Sequence, residues 1–160
     1  YSISFAPDGR TIAVVDTEDS GAGKQYRIYL VDIQTGERRC LTAEAEFAGE
    51  TTPRFSPDGK SLAFVRVFDN KNSDLFVVST AGNQQPRQIT FDRAVIHSLA
   101  WSADGRDIIF VSLRAGNSPN VWQTAADGAK KEPQMVVTNF RNLTNIAASP
   151  DGKFLAVVEF

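Results

Sequence analysis

Pro53-Arg54-Phe55-Ser56-Pro57-Asp58-Gly59-Lys60-Ser61-Leu62-Ala63-Phe64-Val65 recurs, with small changes, three more times in a chain of 160 residues. The other copies are ISFAPDGRTIAVV over Ile3 to Val15, LAWSADGRDIIFV over Leu99 to Val111 and IAASPDGKFLAVV over Ile146 to Val158. Gly9, Gly59, Gly105 and Gly152 mark the period, with spacings of 50, 46 and 47 residues. A second set, Gly36, Gly82 and Gly128, keeps the same time at 46 and 46. Two independent turn positions recurring at one period identify an internal structural repeat.

Each copy joins two apolar segments through an Asp-Gly pair: Asp8-Gly9, Asp58-Gly59, Asp104-Gly105 and Asp151-Gly152. Aspartate bonds the backbone one or two residues on, and glycine takes the left-handed conformation that closes a hairpin in register. These eight residues are therefore read as structural turn formers. The repetition of the four aspartates argues for turn formation over catalysis. The second segment of each copy (Ile12 to Val15, Leu62 to Val65, Ile108 to Val111, Leu155 to Val158) is continuously apolar, which predicts a strand covered on both faces.

Two further strands follow in the first three copies. In the first, an exposed loop over Asp16 to Gln25 is expected to lead to Arg27-Ile28-Tyr29-Leu30-Val31, then a Gln34-Thr35-Gly36-Glu37 turn and Arg38-Arg39-Cys40-Leu41-Thr42. Leu75 to Val78 with Pro86 to Thr90, and Val121 to Gln123 with Met135 to Thr138, repeat that order. Four-stranded antiparallel sheets at this period, with no helical periodicity between them, predict an all-β fold, a β-propeller of about three and a half blades. Residues 1–160 then form a single partial propeller, with blades at 1–49, 50–95 and 96–142 and a half blade at 143–160. Phe5, Phe55 and Trp101 hold equivalent first-strand places and are expected to pack between blades. The remaining blades of the same propeller are expected partners of this segment.

Composition narrows the function. Seventeen basic and nineteen acidic residues give a net charge of −2, without the basic footprint a nucleic-acid binder needs, and no direct nucleic-acid contact is expected. Arg38-Arg39 and Lys130-Lys131 read as solvated pairs. The apolar runs fall far short of the ~20 residues of a membrane helix, so no membrane insertion by this segment is expected. Cys40 is the lone cysteine and His97 the lone histidine. They lie in different units, too far apart for a shared site. No Gly-x-Ser-x-Gly, His-Glu-x-x-His, paired-cysteine or P-loop pattern occurs. The Asp16, Glu18, Asp19 group lacks calcium-loop spacing and reads as solvated charge. The segment is thus expected to be non-catalytic, with no cofactor and no metal.

Phe55 to Val65, Asp74 to Val78 and Pro86 to Thr90 together resemble the TolB-type propeller repeat. There, a Ser-Pro-Asp-Gly hairpin precedes an aliphatic strand, and a Leu/Ile-Thr pair ends the outer strand. The lead-in Arg87 to Asp92 and the stretch His97 to Ser102 look like propellers fused in bacteria to winged-helix regulators of the CadC/ToxR kind. That likeness implies a sensory or interaction part in the periplasm or another extracytoplasmic place. Related propellers also gate prolyl-oligopeptidase-like serine peptidases, and a freestanding TolB-like scaffold is a third setting.

The expected activity is binding of a protein or peptide partner. The candidates are polar residues that open the first strands near a propeller's channel mouth: Thr52, Arg54, His97, Ser98 and Asn145.

Overall fold

The computed structural model describes residues 2–19, 24–42, 48–82, 84–129, 132–138 and 140–159, with side chains left aside at 18, 19 and 24. Lys130 and Lys131 lie outside the described residues. Among those described there are fourteen strands and no helix. The first unit holds β1 (Ile3–Phe5), β2 (Thr11–Asp19), β3 (Lys24–Asp32) and β4 (Arg38–Cys40). The second holds β5 (Gly49–Phe55), β6 (Ser61–Asp69), β7 (Asn72–Ser79) and β8 (Arg87–Gln88). β9 (Ile96–Trp101), β10 (Asp107–Ser112), β11 (Asn120–Ala125) and β12 (Gln134–Val137) make the third, and β13 (Leu143–Ala148) with β14 (Leu155–Glu159) the last. Within each unit, neighbouring strands pair antiparallel in chain order. A parallel pairing of Tyr26 with Gly49 joins the corners of the first two units. A Cβ on Gly49 would lie 2.9 Å from that of Tyr26, so this approach requires glycine.

The units stack face to face through three apolar layers. Ala13, Val15, Ile28, Leu30 and Leu41 meet Leu62, Phe64, Phe76 and Val78. Ala63, Val65, Leu75, Val77 and Ile89 meet Leu99, Trp101, Ile108 and Phe110. Ala100, Val111 and Val121 meet Leu143 and Ile146. β6 shows why its sequence is continuously apolar: Leu62 and Phe64 point to the first unit, Ala63 and Val65 to the third. The first strands β1, β5, β9 and β13 approach one another in order and make the hub of a partial propeller.

Three expectations need correction. Residues 16–19 and 24–25 are not loop, because β2 and β3 run on as a ribbon in which Asp16 faces Arg27 and Asp19 faces Lys24. Asp16 and Arg27, of opposite charge, lie directly across that antiparallel pair, an arrangement that favours the ribbon. Phe5 does not pack between units: it is 63% exposed, on a unit with no described sheet before it. Val157 and Val158 of β14 are also exposed, on a unit with no described sheet after it. Third, Arg38 and Arg39 are engaged, not merely solvated. Arg38 pairs with Asp16 at 3.2 Å and covers the Tyr29 ring. Arg39 donates to the Thr80 carbonyl of the next unit.

That last bond recurs. Arg87 Nη2 donates to the Ala126 carbonyl at 2.7 Å, so an arginine on the fourth strand of one unit clasps the turn carbonyl of its successor at both junctions where that turn exists. The strand registers place Gln134 at the equivalent position of the third unit. Between the first two units, buried Arg66 and Glu50 pair at 2.9 Å, with Thr42 also donating to Glu50 and the Phe76 ring under the guanidinium.

In the Asp-Gly turns, Asp58 Oδ1 accepts from Ser56 Oγ at 2.7 Å and from the Lys60 N–H at 3.0 Å. Asp104 and Asp151 repeat this with Ser102 and Ser149. Ala6 cannot, and Asp8 instead takes bonds from the Arg10 and Thr11 backbone. These bonds hold all four carboxyls below the usual carboxylate range. The glycines that follow have φ between 65° and 72°.

Two outcomes are expected. Gly59→Ala should lower stability by about 1 to 2 kcal/mol, read by urea unfolding, since φ is +72° and the new Cβ would sit 3.3 Å from Pro7 Cδ. A carboxyl depressed in the fold contributes stability above its unfolded value near ~3.9, and that stability drains as pH falls. Burial pushes Glu50 and Asp74 the other way. The turn contribution is therefore read by difference: Asp58→Asn should flatten the acid decline of unfolding free energy relative to the natural chain.

Candidate functional site

The polar residues that open the first strands sit where those strands bulge. In β5 the register shifts between Thr51 and Arg54. In β9 His97 is the extra residue, since Ser98 faces Val111 and Ile96 faces Ser112. In β13 the shift falls between Leu143 and Asn145. Bulges bend a strand and re-aim its side chains, and they gather next to binding sites. Thr52 pays the conformational penalty openly, with φ of 55° on a β-branched residue.

Along the hub runs a cavity of about 640 Å³ whose walls come from the first strands and hairpin turns of all four units. Phe5, Phe55 and Trp101 supply aromatic surface, with Pro57 and Pro150 beside the turns and Ala147 on the β13 wall. Among the described residues Arg54 is the cation in this lining, and no carboxylate shares it. Trp101 is 8% exposed and clipped in place by its Nε1–H, which donates to the Arg54 carbonyl at 2.9 Å. Arg54 is half-buried, its Nη1 donating to the Pro53 carbonyl at 2.9 Å. Burial lowers its pKa from the usual arginine value.

Of the five candidates read from the sequence, Arg54 and Asn145 line the cavity. Ser98 is buried behind it and donates through Oγ to Asn145 Oδ1 at 2.6 Å, linking the third and fourth units. Thr52 and His97 lie on the bulges outside the lining, and His97 is exposed. Cys40 is on β4 and His97 on β9, with the whole second unit between those strands, so the structure does not bring them together. Among the described residues no group of three histidine, cysteine, aspartate or glutamate side chains is placed to hold a metal. The aromatic wall was not singled out from the sequence as a site. Its signal was there, in the aromatic residue four before the turn glycine of the first three units.

The geometry defines a class: a β-propeller of four-stranded repeats whose hub offers a concave, largely apolar surface with a few placed polar groups, the usual character of a binding site. The chain belongs to the TolB beta propeller domain family, whose match extends over residues 1–160. It is 30% identical over 129 residues to dipeptidyl-peptidase 5 of Porphyromonas gingivalis, covering 75% of this chain and 18% of that protein. To the Tol-Pal system protein TolB of Bordetella pertussis it is 33% identical over 127 residues, covering 79% and 27%. The solved structure of TolB from Acinetobacter baumannii matches all of this chain and 37% of its own with a TM-score of 0.80 at 28% identity. The chain thus spans 27% or less of these curated relatives.

Ser98→Ala should remove the Ser98 bonds between the third and fourth units and cost about 1 kcal/mol by urea unfolding, because the buried hydroxyl donates to Asn145 Oδ1 and accepts from the Ile146 N–H at 3.3 Å. Thr52→Gly, which relieves the positive φ, should raise stability in the same assay.

Proposed function

We propose that this chain is a non-catalytic binding module that receives a protein or peptide segment in the hub cavity. The observation that carries the reading is the cavity wall itself. Four repeats each contribute the same first-strand and turn positions to one concave surface, apolar in the middle and polar at the bulged end. A surface of that make-up suits an extended chain, whose side chains find aromatic walls and whose backbone finds donors. The candidates Thr52 and His97 would act at the mouth, with Arg54, Asn145 and Ser98 deeper in.

The setting has three forms. The module serves as the extracytoplasmic sensory part of a CadC/ToxR-type winged-helix regulator, as a periplasmic TolB-like scaffold, or as the gating propeller of a serine peptidase. Similarity to dipeptidyl-peptidase 5 favours the last as strongly as similarity to TolB favours the second. Reaction of the whole protein with a fluorophosphonate probe supports the peptidase form. A winged helix with about 20 apolar residues in the longer reading frame supports the regulator.

Binding is tested by selecting peptides from a displayed random library and measuring them against variants. Ala147→Trp fills the cavity from an exposed strand position and should weaken the selected peptides by at least about tenfold with the thermal midpoint kept. Met135→Glu on the outer strand β12 should leave them unchanged. Equal binding by all three proteins would remove the hub from the function.

A further inference from the structure

We infer that the hub cavity selects an acidic peptide segment, seating one carboxylate on Arg54 and a backbone carbonyl on the side-chain amide of Asn145. This rests on the reading that the hub binds a peptide, and adds the chemistry by which it chooses one. Several other arginines of the fold have charged or carbonyl partners in other elements: Arg10 holds Asp32, Arg66 holds Glu50, Arg114 holds Asp92, and Arg87 holds the Ala126 carbonyl. Arg54 differs. Its side chain bonds the carbonyl of its own neighbour Pro53, and among the described residues no carboxylate pairs with it. A half-buried guanidinium in that condition retains donors for an incoming anion, and burial strengthens the attraction.

Charge in the lining decides the ligand's sign and size. Asp58, Asp104, Asp107 and Asp127 border the neighbouring groove between the second and third units, and none borders the hub cavity. Among the described residues a single carboxylate therefore meets one cation and no competing acid, and the planar fork of arginine fits its two oxygens. A phosphate would bring more charge than one guanidinium balances. Phe5, Phe55 and Trp101 give apolar side chains of the same segment a wall to lie against.

Asn145 is oriented for its part. Its Oδ1 accepts from the Ile146 backbone N–H at 2.9 Å, a group that can only donate, and from Ser98 Oγ at 2.6 Å. The carbonyl end is thus committed, and the NH₂ end is left to a passing peptide carbonyl.

The test is fluorescence polarisation with a labelled, capped pentapeptide carrying one glutamate between two phenylalanines, beside its glutamine twin. The natural chain should bind the acidic peptide roughly 10- to 100-fold tighter than the twin, and the preference should narrow in high salt. Arg54→Gln should erase the preference and Arg54→Lys should keep part of it, with dichroism confirming that both are folded. Equal affinity for the two peptides, both lost in Ala147→Trp, overturns the carboxylate selection and leaves the hub reading standing. Acidic-peptide binding that survives Ala147→Trp overturns the hub reading along with it, and failure of the natural chain to bind either peptide overturns the selection.

Discussion

The constraint on which the structure turns is the seat of each hairpin glycine on the unit before it. Position two before the glycine in one unit faces the glycine of the next: Pro7 Cδ would meet a Cβ on Gly59 at 3.3 Å, Pro57 Cδ one on Gly105 at 3.4 Å, and Ala103 Cβ one on Gly152 at 3.0 Å. The same residue pair therefore shapes the turn and spaces the sheets. Left-handed φ is demanded at all three, and the space for a side chain narrows from ordinary contact at Gly105 to a tight 3.0 Å at Gly152, so glycine is the residue that sits there without strain. The contact repeats at all three described junctions, so the same pair of positions sets how closely successive hairpins approach. Pro7, Pro57, Ala103 and Pro150, at that position in the four units, also line the hub cavity.

Much of this was legible in the sequence for a specific reason. Local chemistry fixes turns, and Asp58-Gly59 closes its hairpin whatever lies around it. Faces are fixed by alternation, and Leu62 to Val65 could be apolar throughout only if covered twice. What escaped depends on partners distant in sequence. Asp16 looks like loop charge until Arg27 is found across from it and Arg38 beside it. Arg39 looks solvated until the Thr80 carbonyl, 41 residues on, comes into reach. The exposure of Phe5 likewise depends on which sheet covers it, and no spacing reveals that.

The candidate site was half legible for a related reason. Polar residues opening the first strands could be named from the repeat, and two of them, Arg54 and Asn145, line the cavity. The bulges that sort these two from Thr52 and His97 leave no mark in composition, because a shift of register is a relation between strands. The buried Glu50 and Arg66 pair was unreadable for the same cause, since each looks like an ordinary surface charge until both are seen on facing strands of a covered sheet.

The arginine clasps have a direction. Arg39 and Arg87 each reach forward, from the fourth strand of a unit to the turn of the one that follows it. Neighbour identity is thus written in two separate places, a guanidinium in one repeat and a turn carbonyl with its glycine in the next. A repeat duplicated or transplanted by recombination brings its own arginine but inherits whatever turn comes after it. Order along the ring is accordingly a property of junctions, and the units are interchangeable only where the receiving turn accepts the arm extended to it.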